Sequence, residues 1–542
     1  MSGVQTFAPV KPSSAGQTVR RLVVYTLLAV LVGLAASGLA GLLGLLLDFE
    51  TVLAGTSTSS TAQFLAFTLI GGPCAVILWW TVWRRLTDPA ERGSLAWGLY
   101  SSAVLTVSLI VFTTSLLSVI ATLIEGDWDG SRFATALVWA AVWAWHFVMW
   151  RSPLRSPVRL AAVPAVLGAS FGLILGASSA GGTLVAVFDA GLDRLDGAVL
   201  IDASWGTGAL QSLCWALGGA VIWAWHWYGA GARTSTTAFS NVALVVLGIL
   251  GASIATLGGI GTILYVLLRL ALDRTDALPI LLSPLSAALA AAAVGGAIWI
   301  YSRATAEQRS PATRQAGVLA TSGVALAGAA SGIGVIVNAA LGILSTPLAG
   351  DDTRTLLLGG LSALLVGAPV WWFAWRPQTV TDASRRFAGR RIYLIAIFGI
   401  SAIVALITML VIGYRLFEFF LGGSEGLVDR IRGPLGLLTA TALVAGYHFS
   451  VWRHDRAEVD KSTPPERPRT IGDIVLVTGG APEPLVRAIE IATGASVSVW
   501  RAAETSTFVA DPVELARLLD GVTGARVFVV VTDHVEVIPL AD

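Results

Sequence analysis

The chain has almost no cysteine, almost no lysine and little charge of either sign. Cys74 and Cys214 are the two thiols among 542 residues, and their separation gives neither a disulfide framework nor the close ligand spacing of a zinc site. Lysine occurs at positions 11 and 461 alone, so nearly all the basic charge is arginine. Charged residues make up 13% of the chain against 55% hydrophobic ones, and the mean hydropathy is +0.76. That balance excludes an ordinary soluble globular protein. A net charge of +1 gives no footing to a nucleic-acid partner, which would ask for a basic surface. HExxH, GxSxG, CxxC and paired-carboxylate motifs are missing as well, so neither an enzyme nor a cofactor is expected. No carboxylate falls clearly at the centre of an apolar run, which argues against steep ion coupling. The nearest polar candidates are Asn338 and Tyr265, with Arg269, Arg415 and Glu418 towards the ends.

What the chain does have is long apolar runs, twelve of them between residues 22 and 452. Nearly all reach the ~20 residues that cross a ~30 Å hydrocarbon core. They pair into six units with a period of roughly 75 residues, the mark of a fold built by repetition. Each unit closes on an aromatic ending: WWTVWRR at 79–85, WAWHFVMWR at 143–151, WAWHWY at 223–228, IWIYSR at 298–303, WWFAWRP at 371–377 and YHFSVWRH at 447–454. The reading is an all-α polytopic membrane protein of about twelve transmembrane helices, arranged as six parallel two-helix repeats with a small α/β domain at the C-terminus. A tail at 1–19 precedes a transmembrane domain at 20–453, whose repeats fall near 20–92, 93–157, 158–236, 237–312, 313–388 and 389–453. A charged, proline-bearing linker at 454–470 leads to a soluble domain at 471–542.

Arginines collect on one side of the spans, as at Arg84, Arg151, Arg303 and Arg390, while the opposite loops carry Asp48, Glu125, Asp189 and Asp351. Positive charge stays on the cytoplasmic side during insertion, so both termini are expected there, with anionic lipid headgroups against the basic face. The apolar stretch after Arg20 and Arg21 is too long for a signal-peptide core and reads as an uncleaved first span. Lys-poor, Ala-, Gly- and Val-rich composition points to a bacterial plasma membrane.

Within the repeats, first helices carry small residues four apart: Gly33, Ser37 and Gly41; Gly168, Gly172 and Gly176; Gly251, Ala255 and Gly259; Gly328 and Gly332; Ser401 and Ala405. Such rows let helix backbones approach closely in lipid, which places the first helices at the centre of the assembly. Second helices end in interfacial anchors, Trp83–Arg84, Trp150–Arg151, Trp375–Arg376 and Trp452–Arg453. There the indole sits at the headgroups and the arginine reaches phosphate. The alternative for these tryptophans is a ligand or lipid pocket. His146, His226 and His448 occupy matching places near three of the endings. Facing imidazoles could hold a metal or a haem, but Trp79 and Trp371 take the same slot elsewhere, which favours an interfacial role.

The C-terminal pattern reads strand 473–477, helix 484–492, strand 496–500, helix 512–520, and strands 526–532 and 535–539. Asp511, Pro512 and Glu514 give the second helix its start, and Gly494 and Gly521 its helices' stops. The Thr478-Gly479-Gly480 turn lacks the spacing of a phosphate loop and reads as a plain connection.

The openings RRLVVY at 20–25 and RRIYLI at 390–395, with the (Y/W)xxxWR endings, resemble bacterial multi-pass membrane proteins built from a tandem domain of unknown function. The resemblance covers roughly 20–453 and implies location and architecture, with no site residue carried over. The expected function is a non-catalytic membrane scaffold or receptor whose C-terminal domain binds a protein partner, a ligand or a second copy of itself. The alternative is a transporter or channel for a neutral or lipidic substrate through a glycine-rich helix interface.

Overall fold

The computed structural model describes residues 15–48, 58–195, 204–343, 353–375, 383–422, 426–462, 471–502 and 510–540. Among the described residues twelve helices are long and apolar enough to cross a membrane: α1 (Ala15–Leu47), α2 (Thr58–Arg85), α3 (Leu95–Glu125), α4 (Gly130–Arg151), α5 (Val163–Arg194), α6 (Trp205–Gly229), α7 (Ala238–Leu272), α8 (Leu278–Arg309), α9 (Pro311–Gly342), α10 (Thr353–Trp375), α11 (Tyr393–Gly422) and α12 (Leu427–Arg453). The shortest has 22 residues, about 33 Å at 1.5 Å per residue and so enough for the hydrocarbon thickness. Each matches one apolar run of the sequence. Several begin on side-chain caps: the Ser94 hydroxyl accepts from the Trp97 amide at 3.2 Å, Asp129 from Arg132 at 2.8 Å and Ser310 from Thr313 at 3.1 Å. These acceptors satisfy amides that the helix itself leaves unpaired. Large apolar side chains such as Leu69, Ile70, Val221 and Ile300 point outward over half exposed, as a lipid-facing surface requires.

The helix that contains α12 continues to Ser462, which corrects the linker expected at 454–470. Arg453 to Ser462 holds no proline or glycine, so nothing stops the helix before Pro464 and Pro465. Residues 463–470 lie outside the described residues. Pro434, inside the same helix, was not singled out in the sequence; Pro369 stands within α10.

The chain divides into two compact units, 1–448 and 449–542. In the first, consecutive helices pair antiparallel, and glycine decides how closely. A Cβ on Gly172 would lie 2.4 Å from the Trp223 backbone nitrogen, and one on Gly219 would lie as close to Gly176. Ala255, Gly259 and Gly295 bring α7 against α8, and Gly332, Gly360 and Gly367 bring α9 against α10, in the same backbone-to-backbone manner. This corrects the expectation that the seams gather first helices at a centre. Gly168, Gly172, Gly176, Gly259 and Gly332 face the second helix of their own pair, and Gly328 touches Gly367 loosely. Gly33 and Gly251 meet no side chain of a neighbouring helix and Ser37 is exposed; the first helix packs instead through Ala36, Gly38, Ala40 and Gly44, with Gly41 on Phe64. Lipid is as apolar as leucine, so only close backbone approach distinguishes one face from another.

The second unit holds a four-stranded sheet, β1 (Ile471–Thr478), β2 (Ser496–Arg501), β3 (Gly524–Val531) and β4 (Val535–Leu540), in the order β2-β1-β3-β4. The first three strands run parallel and β4 is antiparallel to β3. Helices α13 (Glu483–Thr493) and α14 (Pro512–Leu518) bury Leu485, Ile489 and Leu515 against Ile474, Leu476, Val527 and Val529. Every element expected from the sequence is present. Asp511 caps α14 through the Val513 amide at 2.9 Å, and Gly494 ends α13 at φ 66°. The Thr478 hydroxyl accepts from the Gly480 amide at 3.1 Å, so that turn closes on itself.

Candidate functional site

The aromatic endings form braces between neighbouring pairs of helices. In α2, Trp79 and Trp83 stand one turn apart and meet Trp145 of α4, with Trp83 and Trp145 stacked at 5.5 Å. In α6, Trp223 and Trp227 have the same spacing and meet Tyr301 of α8, the Trp227 indole donating to the Tyr301 hydroxyl at 2.6 Å. In α10, Trp371 and Trp375 meet Tyr447 of α12, the Trp375 indole donating at 2.8 Å. The same interaction therefore recurs three times, each time between an odd and an even pair.

Indole N–H groups of other tryptophans are also spent inside the protein: Trp97 on the Arg155 carbonyl, Trp150 on the Ala161 carbonyl and Trp299 on the Thr321 hydroxyl. Arginines stack on rings, Arg155 at 3.6 Å over Trp83, Arg84 at 3.7 Å over Trp80 and Arg151 at 4.8 Å over Phe147. The anchors named from sequence thus include internal struts. Arg376 lies outside the described residues; Trp452 sits beside Phe449 and Arg453 is exposed.

The histidines do not converge. His146, His226 and His448 lie in α4, α6 and α12, and each ring binds through Nδ1 the carbonyl four residues back at 2.8 Å. A carbonyl only accepts, so Nδ1 carries the proton and Nε2 of the neutral ring is left to accept. For His146 the donor is the Tyr100 hydroxyl at 3.0 Å. The His226 ring fills the space that Gly168 leaves. His448 is fully buried among Trp375, Tyr393 and Tyr447, its Nε2 without a partner among the described residues. Among the described residues no group of three His, Cys, Asp or Glu side chains is placed to hold a metal.

Arg269, the polar residue of α7, donates to Asp276 at 2.7 Å and Asp273 at 3.4 Å, and Asp273 in turn accepts from Thr355 of α10 at 3.1 Å. Asp273 is 1% exposed, so this cluster fastens two pairs together.

A cavity of about 460 Å³ lies among α5, α6, α7 and α8 and is partly open to the surroundings, within the range of small-molecule sites. Val166, Ala169, Leu173 and Ala180 of α5, Leu217 and Ala220 of α6, and Leu244 and Leu247 of α7 make apolar walls. Gly172 and Gly176, predicted as packing residues, line it as well. Ser170, Trp223, Trp227, Ser240, Tyr301 and Ser302 supply its polar groups, all uncharged. Two π-helical stretches border it, Trp225–Gly229 and Leu244–Gly251, a backbone form met mostly as local bulges and often beside functional sites. The clue available in the sequence was that the third and fourth units lack the Trp-Arg ending.

The family described as "Domain of unknown function (DUF5671)" matches the chain twice, over residues 21–145 and 312–446. Each match takes in two helix pairs, α1–α4 and most of α9–α12. The cavity-bearing helices α5–α8 lie between the two matches. No curated protein and no solved structure matches the chain.

Proposed function

We propose that the protein is a non-catalytic membrane receptor that holds a neutral, apolar ligand among α5–α8. The observation that carries this reading is the cavity, large enough for a ligand and lined by no ionisable carboxylate, histidine, lysine or arginine. Its serine and tyrosine hydroxyls have no carboxylate, histidine or lysine beside them in the lining to activate them, so the site has the means to bind and lacks those to transform. Water finds few partners against such walls, so an apolar occupant is favoured.

In this reading the six helix pairs enter from the cytoplasmic face of a bacterial plasma membrane, as the arginine distribution supports, and both termini are cytoplasmic. Anionic headgroups lie against the arginine-rich ends, and the C-terminal domain binds a protein partner or a second copy of itself. Its sheet supports that role: α13 and α14 cover one face, while Trp500, 58% exposed, stands on the other beside Phe528.

The test is binding of uncharged hydrophobic probes to the full-length protein in lipid nanodiscs, read by thermal stability and tryptophan fluorescence. Saturable binding that is weakened in Trp227→Phe, with the probe recovered chemically unchanged, is expected. Chemical turnover of the probe, or binding indifferent to cavity substitutions, overturns the reading. A carrier for a neutral or lipidic substrate is the second reading, favoured by Gly172 and Gly176 in the cavity wall. It requires that Gly172→Leu abolish flux into liposomes.

A further inference from the structure

The cavity has a structural origin that points to its occupant. In α1–α4 the even pair contributes Tyr100 from α3 and His146 from α4, hydrogen-bonded at 3.0 Å beside Trp79. In α9–α12, Tyr393 of α11 and His448 of α12 stand with ring centroids 6.0 Å apart beside Trp375. The aromatic residue that immediately precedes each histidine, Trp145 or Tyr447, meets the paired tryptophans of the preceding pair. In α5–α8 that place belongs to Tyr301, which meets Trp223 and Trp227. The histidine place therefore falls on Ser302. Its neighbour from α7 is Gly248, where a Cβ would lie 2.4 Å from the serine hydroxyl. A tyrosine and a histidine fill the interior of the outer sets; a glycine and a serine stand there in the middle one.

We infer that α5–α8 are a third copy of the same four-helix unit, and that exchange of its Tyr–His plug for Gly248 and Ser302 opened a socket for one acyl chain of a membrane glycerolipid. The proposal rests on the receptor reading and names its ligand. Along α5 the lining runs from Val166 to Ala180, about 21 Å at the helical rise, an elongated space rather than a globular one. Gly172, Gly176, Ala177, Ala180, Ala216 and Ala220 line this slot with small residues, a surface suited to an unbranched chain. At one end Tyr301 and Ser302 offer uncharged hydroxyls suited to an ester, while the Ser240 hydroxyl there already donates to the Ser235 carbonyl at 3.0 Å. Arg309 lies just behind, at 2.9 Å from the Ser240 hydroxyl and 3.0 Å from the Asn241 side chain, and braces that end of the slot.

Full-length protein purified in detergent after exhaustive exchange is expected to retain one glycerolipid per chain by native mass spectrometry. Gly248→Phe combined with Ser302→His restores bulk at the plug position and is expected to lower retained lipid at least tenfold. The control Gly33→Ala leaves it unchanged. Should the plug variant fail to fold, a diazirine-bearing acyl lipid supplied to membranes carrying the wild-type protein decides the matter. Cross-links within 166–180 and 216–227 support the inference; cross-links confined to outward-facing helix surfaces overturn it. A retained isoprenoid, or no retained lipid at all, overturns it as well. If in that case a non-lipid hydrophobic probe still binds and is blocked by the plug variant, the receptor reading stands and the acyl chain alone falls.

Discussion

Replacing Gly172 with alanine should destabilise the protein, although alanine is the better helix former. In the structure the added methyl would lie 2.4 Å from the Trp223 nitrogen, 2.8 Å from its Cα and 2.9 Å from the Gly219 carbonyl oxygen. Optimal carbon contacts are about 3.5–4.0 Å, so α5 and α6 must separate by about 1 Å. All three obstructing atoms are backbone and cannot rotate away. Overpacking of this kind costs about 1–3 kcal/mol, and the gain in helix propensity returns about 1 kcal/mol, leaving a net loss of up to about 2 kcal/mol, towards the upper end because the obstructing atoms are backbone. Gly33→Ala meets nothing within 4 Å and should be neutral or gain up to about 1 kcal/mol. Equilibrium unfolding in mixed dodecylmaltoside–SDS micelles, followed by tryptophan fluorescence, measures both. If Gly33→Ala is as damaging as Gly172→Ala, the assignment of seams to individual helix pairs is refuted.

Other perturbations follow from the same geometry. Tyr100→Phe removes the donor to buried His146 and should cost about 1–3 kcal/mol in the same unfolding assay, whereas Tyr393→Phe leaves His448 Nε2 as it was and should cost less. Arg269→Ala removes the charged partner of buried Asp273, which keeps Thr355 and Thr275 as donors, and should cost about 1–3 kcal/mol; Asp273→Asn with Arg269→Gln should recover part of that loss. Leu515→Ala in the C-terminal core should cost about 2–5 kcal/mol, visible as loss of amide protection in β1 and β3 by hydrogen exchange. Exhaustive treatment with chelator should leave the unfolding midpoint unchanged, since His146, His226 and His448 are each committed to their own helix.

The spans were legible because hydrocarbon thickness imposes a length that sequence cannot disguise. The C-terminal elements were legible because Asp511 and Gly494 mark their ends. The direction in which Gly33, Ser37 or Gly172 faces was not. In water a helix shows its buried side by hydrophobic periodicity, but in lipid both sides are apolar and the periodicity carries little information. The cavity was hidden for a related reason. Gly248 and Ser302 look unremarkable in a glycine-rich chain, and they acquire meaning only beside the Tyr100–His146 contact, residues 46 positions apart brought together by packing. The grouping by four helices was obscured because aromatic endings recur on every pair, while the pattern that separates odd from even is a tryptophan spacing on one and its ring partner on the other.

Seams that join a helix to the next one along the chain also bear on how the molecule is made. Between α5 and α10 the closest glycine seams join a helix to its pair partner, as Gly172 finds Gly219 and Gly332 finds Gly360, while Gly334 of α9 meets Gly436 of α12. A polypeptide inserted from its N-terminus can therefore complete each pair as soon as the second helix leaves the translocon, without waiting for distant sequence. Contacts between pairs, such as Trp227 on Tyr301 or Asp273 on Thr355, then join elements already formed. Pair seams can thus close in the order of synthesis, whereas a contact such as Gly334 on Gly436 waits for the last helix.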